Sequence, residues 1–155
     1  MPADEPAAEP PSPYPDALPL PPRAERLLLG SDPVMAARLS AVAGLLFVAT
    51  FVLHLPPRLV GGLSVPFGLA LPLLVGLAFV AAAVGAYRND GLFVCLALAG
   101  GPSFGFYLPL GLFELTYPSA TMLTALAIGA ILAVAVGTAG FVVGAAARRL
   151  AERVA

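Results

Sequence analysis

The sequence predicts an all-α integral membrane protein in which four transmembrane helices form an up-down-up-down bundle. Only 11% of its 155 residues are charged, and the mean hydropathy is +0.93, whereas soluble domains carry about a quarter charged residues. Four uncharged runs occupy the interior of the chain, at 39–57, 59–87, 91–113 and 115–147. Each run reaches or exceeds the roughly 18 residues that indicate a membrane-spanning helix. The chain is therefore predicted to be polytopic.

Composition divides the chain into three segments. Residues 1–32 contain nine of the 17 prolines and six of the nine acidic residues, a composition that buries too little apolar surface to offset the entropy of ordering. We therefore expect a disordered, acidic, proline-rich cytoplasmic tail there, a transmembrane domain at 33–149 and a short cytoplasmic end at 150–155. The four helices are expected at about 33–55, 64–87, 91–116 and 118–149.

Capping and turn residues indicate where the helices begin and end. Asp32 can accept hydrogen bonds from the free amides of the first helix, and Pro33 suits its first position. The Arg-Asn-Asp-Gly sequence at 88–91 predicts a very short turn, which makes helices 2 and 3 antiparallel neighbours. Helix 4 would be about 48 Å long against about 30 Å of hydrocarbon. It must therefore tilt, or its end at 145–154 must emerge as a short amphipathic extension.

The arginines predict the orientation in the membrane. With both termini in the cytoplasm, seven of the eight arginines lie inside and only Arg58 lies outside, as the positive-inside rule requires. The expected location is thus the cytoplasmic membrane. The chain contains no lysine, and arginine-only basic usage beside abundant Ala, Gly, Leu and Val is typical of a prokaryote with GC-rich coding.

A predicted break in helix 3 is the first candidate site. Gly100, Gly101, Pro102 and Ser103 interrupt an apolar run in the middle of this helix, and glycine and proline both weaken helices. Broken membrane helices often mark transport sites, so the residues could line a ligand or ion path. The alternative is a kink packed against a neighbouring helix. Tyr107, one turn further, could help to satisfy the break.

A polar cluster at the outer face is the second candidate. The predicted topology brings His54, Arg58 and Glu114 to the same membrane interface. Glu114 could form an ion pair that fixes one loop against another, or it could serve as a proton or cation site at the outer mouth.

Small residues recur along helix 4 at the spacing that lets helix backbones approach closely. The row consists of Ala125, Gly129, Ala133, Gly137, Gly140 and Gly144. Helix 2 has a shorter row in Ser64, Gly68 and Gly76. These faces could pack inside the bundle, or they could mediate homo- or hetero-oligomers.

Several classes of function are disfavoured. The absence of lysine excludes a Schiff base, and no phosphate-binding loop or HExxH, CxxC or GxSxG motif occurs. No basic run with interleaved aromatic residues suggests nucleic-acid binding. A single histidine and a single cysteine do not make a metal site, so we expect no metal, cofactor or catalytic residues.

The sequence therefore favours a small multi-pass membrane protein with a structural, accessory or assembly role, for which the lipid bilayer is the first partner. One alternative is a small transporter or channel subunit that uses the break at 100–103. A second alternative is a membrane-embedded enzyme that uses His54 and Glu114.

Overall fold

The computed structural model describes residues 27–28, 30–55, 67–113 and 121–154, and the secondary structure within these ranges is helical. The four long helices are α1 (Pro33–Leu53), α2 (Phe67–Asn89), α3 (Leu92–Leu112) and α4 (Met122–Val154). Each is long and apolar enough to cross a membrane. The prediction of an all-α multi-pass membrane protein is therefore confirmed.

The start of α1 has the predicted cap. The carboxylate Oδ1 of Asp32 accepts hydrogen bonds from the amides of Val34 at 2.8 Å and Met35 at 3.2 Å. Pro33 occupies the first helical position, where its missing amide hydrogen costs nothing. The side chain thereby satisfies two of the donors that every helix start leaves unpaired.

The far end of α4 differs from the prediction. The helix continues to Val154 rather than ending near residue 149, because the final residues are mostly alanine, arginine, leucine and glutamate, which are good helix formers. Arg148 and Glu152 also form an ion pair of 2.9 Å one turn apart. With 33 residues, α4 is about 50 Å long. The tail at 1–26 and the residues Arg58 and Glu114 lie outside the described residues.

Helix α3 is the centre of the described bundle. In its membrane-spanning window 61% of the residues are buried, against 11% for α1, 28% for α2 and 22% for α4. Helix α3 packs against all three other helices, and α2 and α4 also pack against each other. Helix α1 contacts mainly α3. The result is a three-helix core of α2, α3 and α4, with α1 attached to α3.

The predicted break in α3 is not confirmed. The helix is continuous from Leu92 to Leu112 and contains both Pro102 and Pro109. A proline removes one amide donor from the helix, but here the surrounding helices enclose the segment, and the side chains of 100–103 are buried. Ser103 donates a hydrogen bond of 2.8 Å from its Oγ to the carbonyl of Ala99. The glycine-proline sequence is thus accommodated within a packed helix.

Alanine residues form the contact row of α2. Ala78, Ala82 and Ala86 are buried together with Cys95 and Ala99 of α3. The row that the sequence suggested on helix 2 is different: a Cβ built at Gly76 meets no other atom within 4 Å, and Ser64 lies outside the described residues. Small side chains therefore do bring α2 close to its neighbours. They belong to alanines on a different face of α2 from Gly76.

Asn89 ties the start of α1 to the turn between α2 and α3. Its side-chain Oδ1 accepts a hydrogen bond of 3.0 Å from the amide of Asp32, and its carbonyl accepts one of 2.9 Å from the amide of Ser31. The side chain is fully buried. Gly30 has a φ of 92°, and any side chain there would collide with Asn89. Two segments that are distant in sequence thus meet at one residue, through both its side chain and its backbone carbonyl.

We predict that Asn89→Ala destabilises the protein by about 1–3 kcal/mol, because it removes the acceptor of the part-buried Asp32 amide hydrogen bond and leaves a gap where a fully buried side chain lay. The measurement is the free energy of unfolding in mixed micelles titrated with a denaturing detergent. Arg88→Ala, at the exposed neighbouring position, is the control and should have little effect. Equal stability of the two variants would contradict the proposed role of Asn89.

Candidate functional site

The glycines of α3 contact the backbone of α1. A Cβ at Gly105 would lie 2.6 Å from the carbonyl oxygen of Phe47 and 2.9 Å from Cβ of Thr50, and a Cβ at Gly101 would collide with the carbonyl of Ala43. Distances below 3.0 Å are too short for carbon atoms in contact, so α1 can lie at its observed position only if both residues are glycine. This pair of glycines fixes the α1–α3 distance.

The opposite side of α3 contacts α4 through the rest of the predicted break. A Cβ at Gly100 would lie 3.6 Å from Cβ of Ala133, which is an ordinary van der Waals contact. Pro102 and Ser103 are among the most completely buried side chains. The structure therefore brings Gly100, Gly101, Pro102 and Ser103 together as a packing surface with α1 on one side and α4 on the other.

Tyr107 lies further along α3 and is separate from this surface. Its ring contacts Phe106 edge to face, with the centroids 4.9 Å apart. Tyr107 also packs beside the buried pair formed by Leu74 and Phe106. It is therefore a partly buried packing residue at the α2–α3 contact, and no described hydrogen bond connects it to Ser103.

His54 follows the last residue of α1 and packs against Phe106 with the ring centroids 4.7 Å apart. Its Nδ1 lies 2.8 Å from the carbonyl oxygen of Thr50. Since a carbonyl only accepts, Nδ1 carries the hydrogen and Nε2 of a neutral ring is left as an acceptor. This Nε2 is buried and has no hydrogen-bond partner among the described residues. The suggested contacts with Arg58 and Glu114 fall outside those residues.

The small-residue row of α4 lies inside the molecule, and its six members are buried. The row contacts two helices in succession. A Cβ at Gly137 would lie 3.0 Å from Cδ2 of Leu96 in α3, whereas a Cβ at Gly140 would lie 2.7 Å from Cβ of Ala82 in α2. Ala125, Gly129 and Ala133 extend the α3 contact, and Gly144 extends the α2 contact. The row thus closes the α2–α3–α4 core.

An open apolar groove of about 720 Å³ runs between α2 and α4 on the outer surface of the bundle. Three of the residues that line it are small, namely Gly76, Ala135 and Ala139. The lining residues are Leu71, Pro72, Val75, Gly76, Phe79, Ala135, Val136 and Ala139. None of them carries a charge or a hydroxyl group, so the groove suits an acyl chain or an apolar helix and not a polar solute.

Sequence reasoning missed three residues that shape this arrangement. Asn89 was regarded only as part of a turn, Gly105 was not singled out, and Phe106 was not connected to His54. The spacing of Gly101 and Gly105 by four residues was the available signal for a close helix contact. Asn89 bonds to Asp32, which is 57 residues away in the sequence, and Phe106 contacts His54 at the end of another helix. No local pattern in the sequence predicts either contact.

The described residues contain no group of three or more His, Cys, Asp or Glu side chains that could hold a metal ion. Comparison of the chain with protein-family models, with curated proteins and with solved structures gives no match. The arrangement of side chains is therefore the basis for a functional proposal.

We predict different effects on stability for two glycine-to-alanine changes. Gly105→Ala should destabilise the protein by about 1–3 kcal/mol, because the added methyl group overpacks the α1–α3 contact. Gly44→Ala is the matched control on α1, since a Cβ there meets nothing within 4 Å. It should be neutral or slightly stabilising because alanine has the higher helix propensity. Unfolding in mixed micelles measures both; a similar loss, or no loss, in both variants would contradict the close α1–α3 contact.

Proposed function

We propose that the protein is a non-enzymatic, multi-pass subunit of the cytoplasmic membrane with a structural, accessory or assembly role. The observation that carries the proposal is the packed middle of α3: residues 100–103 are buried, with Gly101 against α1 and Gly100 against α4. On its outer surface the described bundle has an open apolar groove between α2 and α4. Because its interior is packed and the groove on its outer surface is apolar, the bundle is suited to bind another helix.

The contacts between helices support an up-down-up-down path through the membrane. Along α3 and α4 the contacting positions run in opposite directions, from Gly111 beside Ala125 to Leu96 beside Gly137. The start of α1 meets the end of α2 at Asn89. The termini then share one side of the membrane, and the distribution of arginines favours the cytoplasmic side.

The groove between α2 and α4 is the proposed contact for a partner helix. In lipid, helix association depends on van der Waals packing, and small residues allow backbones to approach closely. Gly76 has open space where a side chain would lie, and the α4 side of the groove carries the exposed small residues Ala135 and Ala139. A helix from a second subunit could therefore approach here more closely than at the leucine- and valine-rich faces of α1.

A transport path through α3 has no support from the side chains. Such a path needs polar groups directed at water or a solute, whereas the hydroxyl of Ser103 is bonded to its own helix. Catalysis by His54 would need a second reactive group, and no described residue forms a hydrogen bond with its Nε2. The assembly role is therefore the function that we propose.

We predict that a photoreactive residue at Gly76 gives a discrete crosslink to a second protein in native membranes. The same residue at Leu45, which is 68% exposed on α1, is the control and should give lipid adducts alone. Ala139→Leu, which fills the groove from the other side, should abolish the protein adduct without changing the free energy of unfolding. Lipid adducts alone at both positions, or an adduct that survives Ala139→Leu, would contradict docking in this groove.

A further inference from the structure

The end of α4 extends beyond the rest of the bundle. Gly144 packs at the level of Ala83 and Ala86 in α2, and α2 ends three residues later at Asn89. Helix α4 continues for ten residues past Gly144, to Val154, which adds about 15 Å. Since headgroup layers are about 5–8 Å thick, the last turn of α4 reaches the aqueous side of the interface marked by Tyr87 and Arg88.

This projecting end has two unlike faces. A rotation of about 100° per residue places Arg148, Arg149 and Arg153 on one side of the helix, with the single acid Glu152 among them. The opposite side carries Leu150, 62% exposed, and Val154, 89% exposed. Arg149, Leu150, Glu152, Arg153 and Val154 are exposed, so basic and apolar side chains at this end are both open to a ligand, whereas Arg148 is partly buried.

The accessible arginines at this end are Arg149 and Arg153, which are exposed. Arg148 is already engaged, because its Nε bonds to Glu152 at 2.9 Å and its Nη1 is buried. Arginine presents a planar fork of donors that suits a carboxylate. With three arginines against one glutamate, this end of the helix has a net charge of +2. Its chemistry therefore favours an acidic ligand with some apolar side chains.

A segment of the same chain has this chemistry. Residues 1–22 contain four acids, no arginine and nine prolines. They also contain apolar side chains that could cover the exposed face of α4, namely Tyr14, Leu18 and Leu20. Proline pre-sets backbone conformation, so a proline-rich segment loses less entropy than an ordinary one when it binds.

The contact at Asn89 brings this segment to the correct end of the molecule. Ser31 and Asp32 are hydrogen-bonded to Asn89, which lies one turn beyond the α2 residues that contact Gly144. The seven residues between Pro22 and Gly30, of which 27–28 are helical, span at most about 23 Å. Residues 1–22 can therefore reach Arg148, Arg149 and Arg153 without disturbing the contact at Asn89.

We propose that residues 1–22 bind in cis to residues 148–154 at the end of α4, with carboxylates on the arginine face and apolar side chains on Leu150 and Val154. Anionic lipid headgroups are the competing ligand for Arg148 and Arg149, which lie about 6–8 Å along the axis from Gly144, whereas Arg153 lies about 13 Å from it, beyond a headgroup layer of about 5–8 Å. The contact in cis does not depend on the groove between α2 and α4.

The test is a distance between spin labels in the full-length protein. Labels are attached at Ser12→Cys and Ala151→Cys in a Cys95→Ala background, in nanodiscs of neutral lipid, with labelled protein diluted by unlabelled protein. We expect a short-distance population at low salt that falls severalfold near 1 M salt, where the screening length is about 3 Å. Replacing the four acids by Asp4→Asn, Glu5→Gln, Glu9→Gln and Asp16→Asn should have the same effect, as should Arg149→Gln with Arg153→Gln.

Glu25→Gln is the matched control, because it removes an acid outside residues 1–22 and should leave the distances unchanged. A distance distribution that does not respond to salt or to either set of substitutions would overturn the proposal. A short distance that disappears on dilution with unlabelled protein would assign the contact to a second copy. A short distance that appears only in anionic lipid would assign the arginines to headgroups, and both results would refute binding in cis.

Discussion

The close approach of α3 to the backbones of α1 and α4 is the constraint on which the rest of the bundle depends. Lipid chains are as apolar as leucine, so helices in a membrane gain little from burying apolar surface against one another and must gain from packing. Gly101 and Gly105 let α1 lie directly on α3, Gly137 lets α4 lie on the backbone of α3 at Leu96, and Gly129 leaves room for the ring of Phe104. The other faces of α1, α2 and α4 can then carry large apolar side chains toward lipid, where their shape matters little.

Polar groups impose the second constraint, because lipid offers them no hydrogen bonds. Several polar groups in the described bundle are satisfied locally or at its ends, whereas Nε2 of His54 and Nη1 of Arg148 are buried without a partner among the described residues. Ser103 bonds to the carbonyl one turn before it, Asp32 caps α1, and the buried Asn89 accepts from the segment that precedes α1. A polar group that is bonded within its own helix or helix end needs no hydrogen bond from lipid. For the same reason, the polar contacts that join distant parts of the chain lie at the end of the bundle where α1 begins.

Sequence alone predicted the features that depend on local pattern. Four spans followed from uncharged runs, and the cap at Asp32 followed from the Asp-Pro pair, because both involve neighbouring residues. The predicted break illustrates the limit of such reasoning. Glycine and proline weaken an isolated helix, but at 100–103 the same glycines gain contacts with α1 and α4 that keep the helix continuous. The partners of Asn89 and His54 were equally inaccessible, since they depend on which helices become neighbours in space.

The central claim is that the middle of α3 is dry and packed, and labelling of a cysteine at Ser103 by a membrane-impermeant maleimide tests it most directly. The background is Cys95→Ala, and Thr121→Cys is the accessible control because Thr121 is exposed at the start of α4. We predict that the control reacts, at least after permeabilisation, while Ser103→Cys stays unlabelled in the folded protein and reacts once the protein is unfolded. Labelling of Ser103→Cys in the folded protein at a rate close to that of the control would mean that water reaches α3, and it would contradict the account.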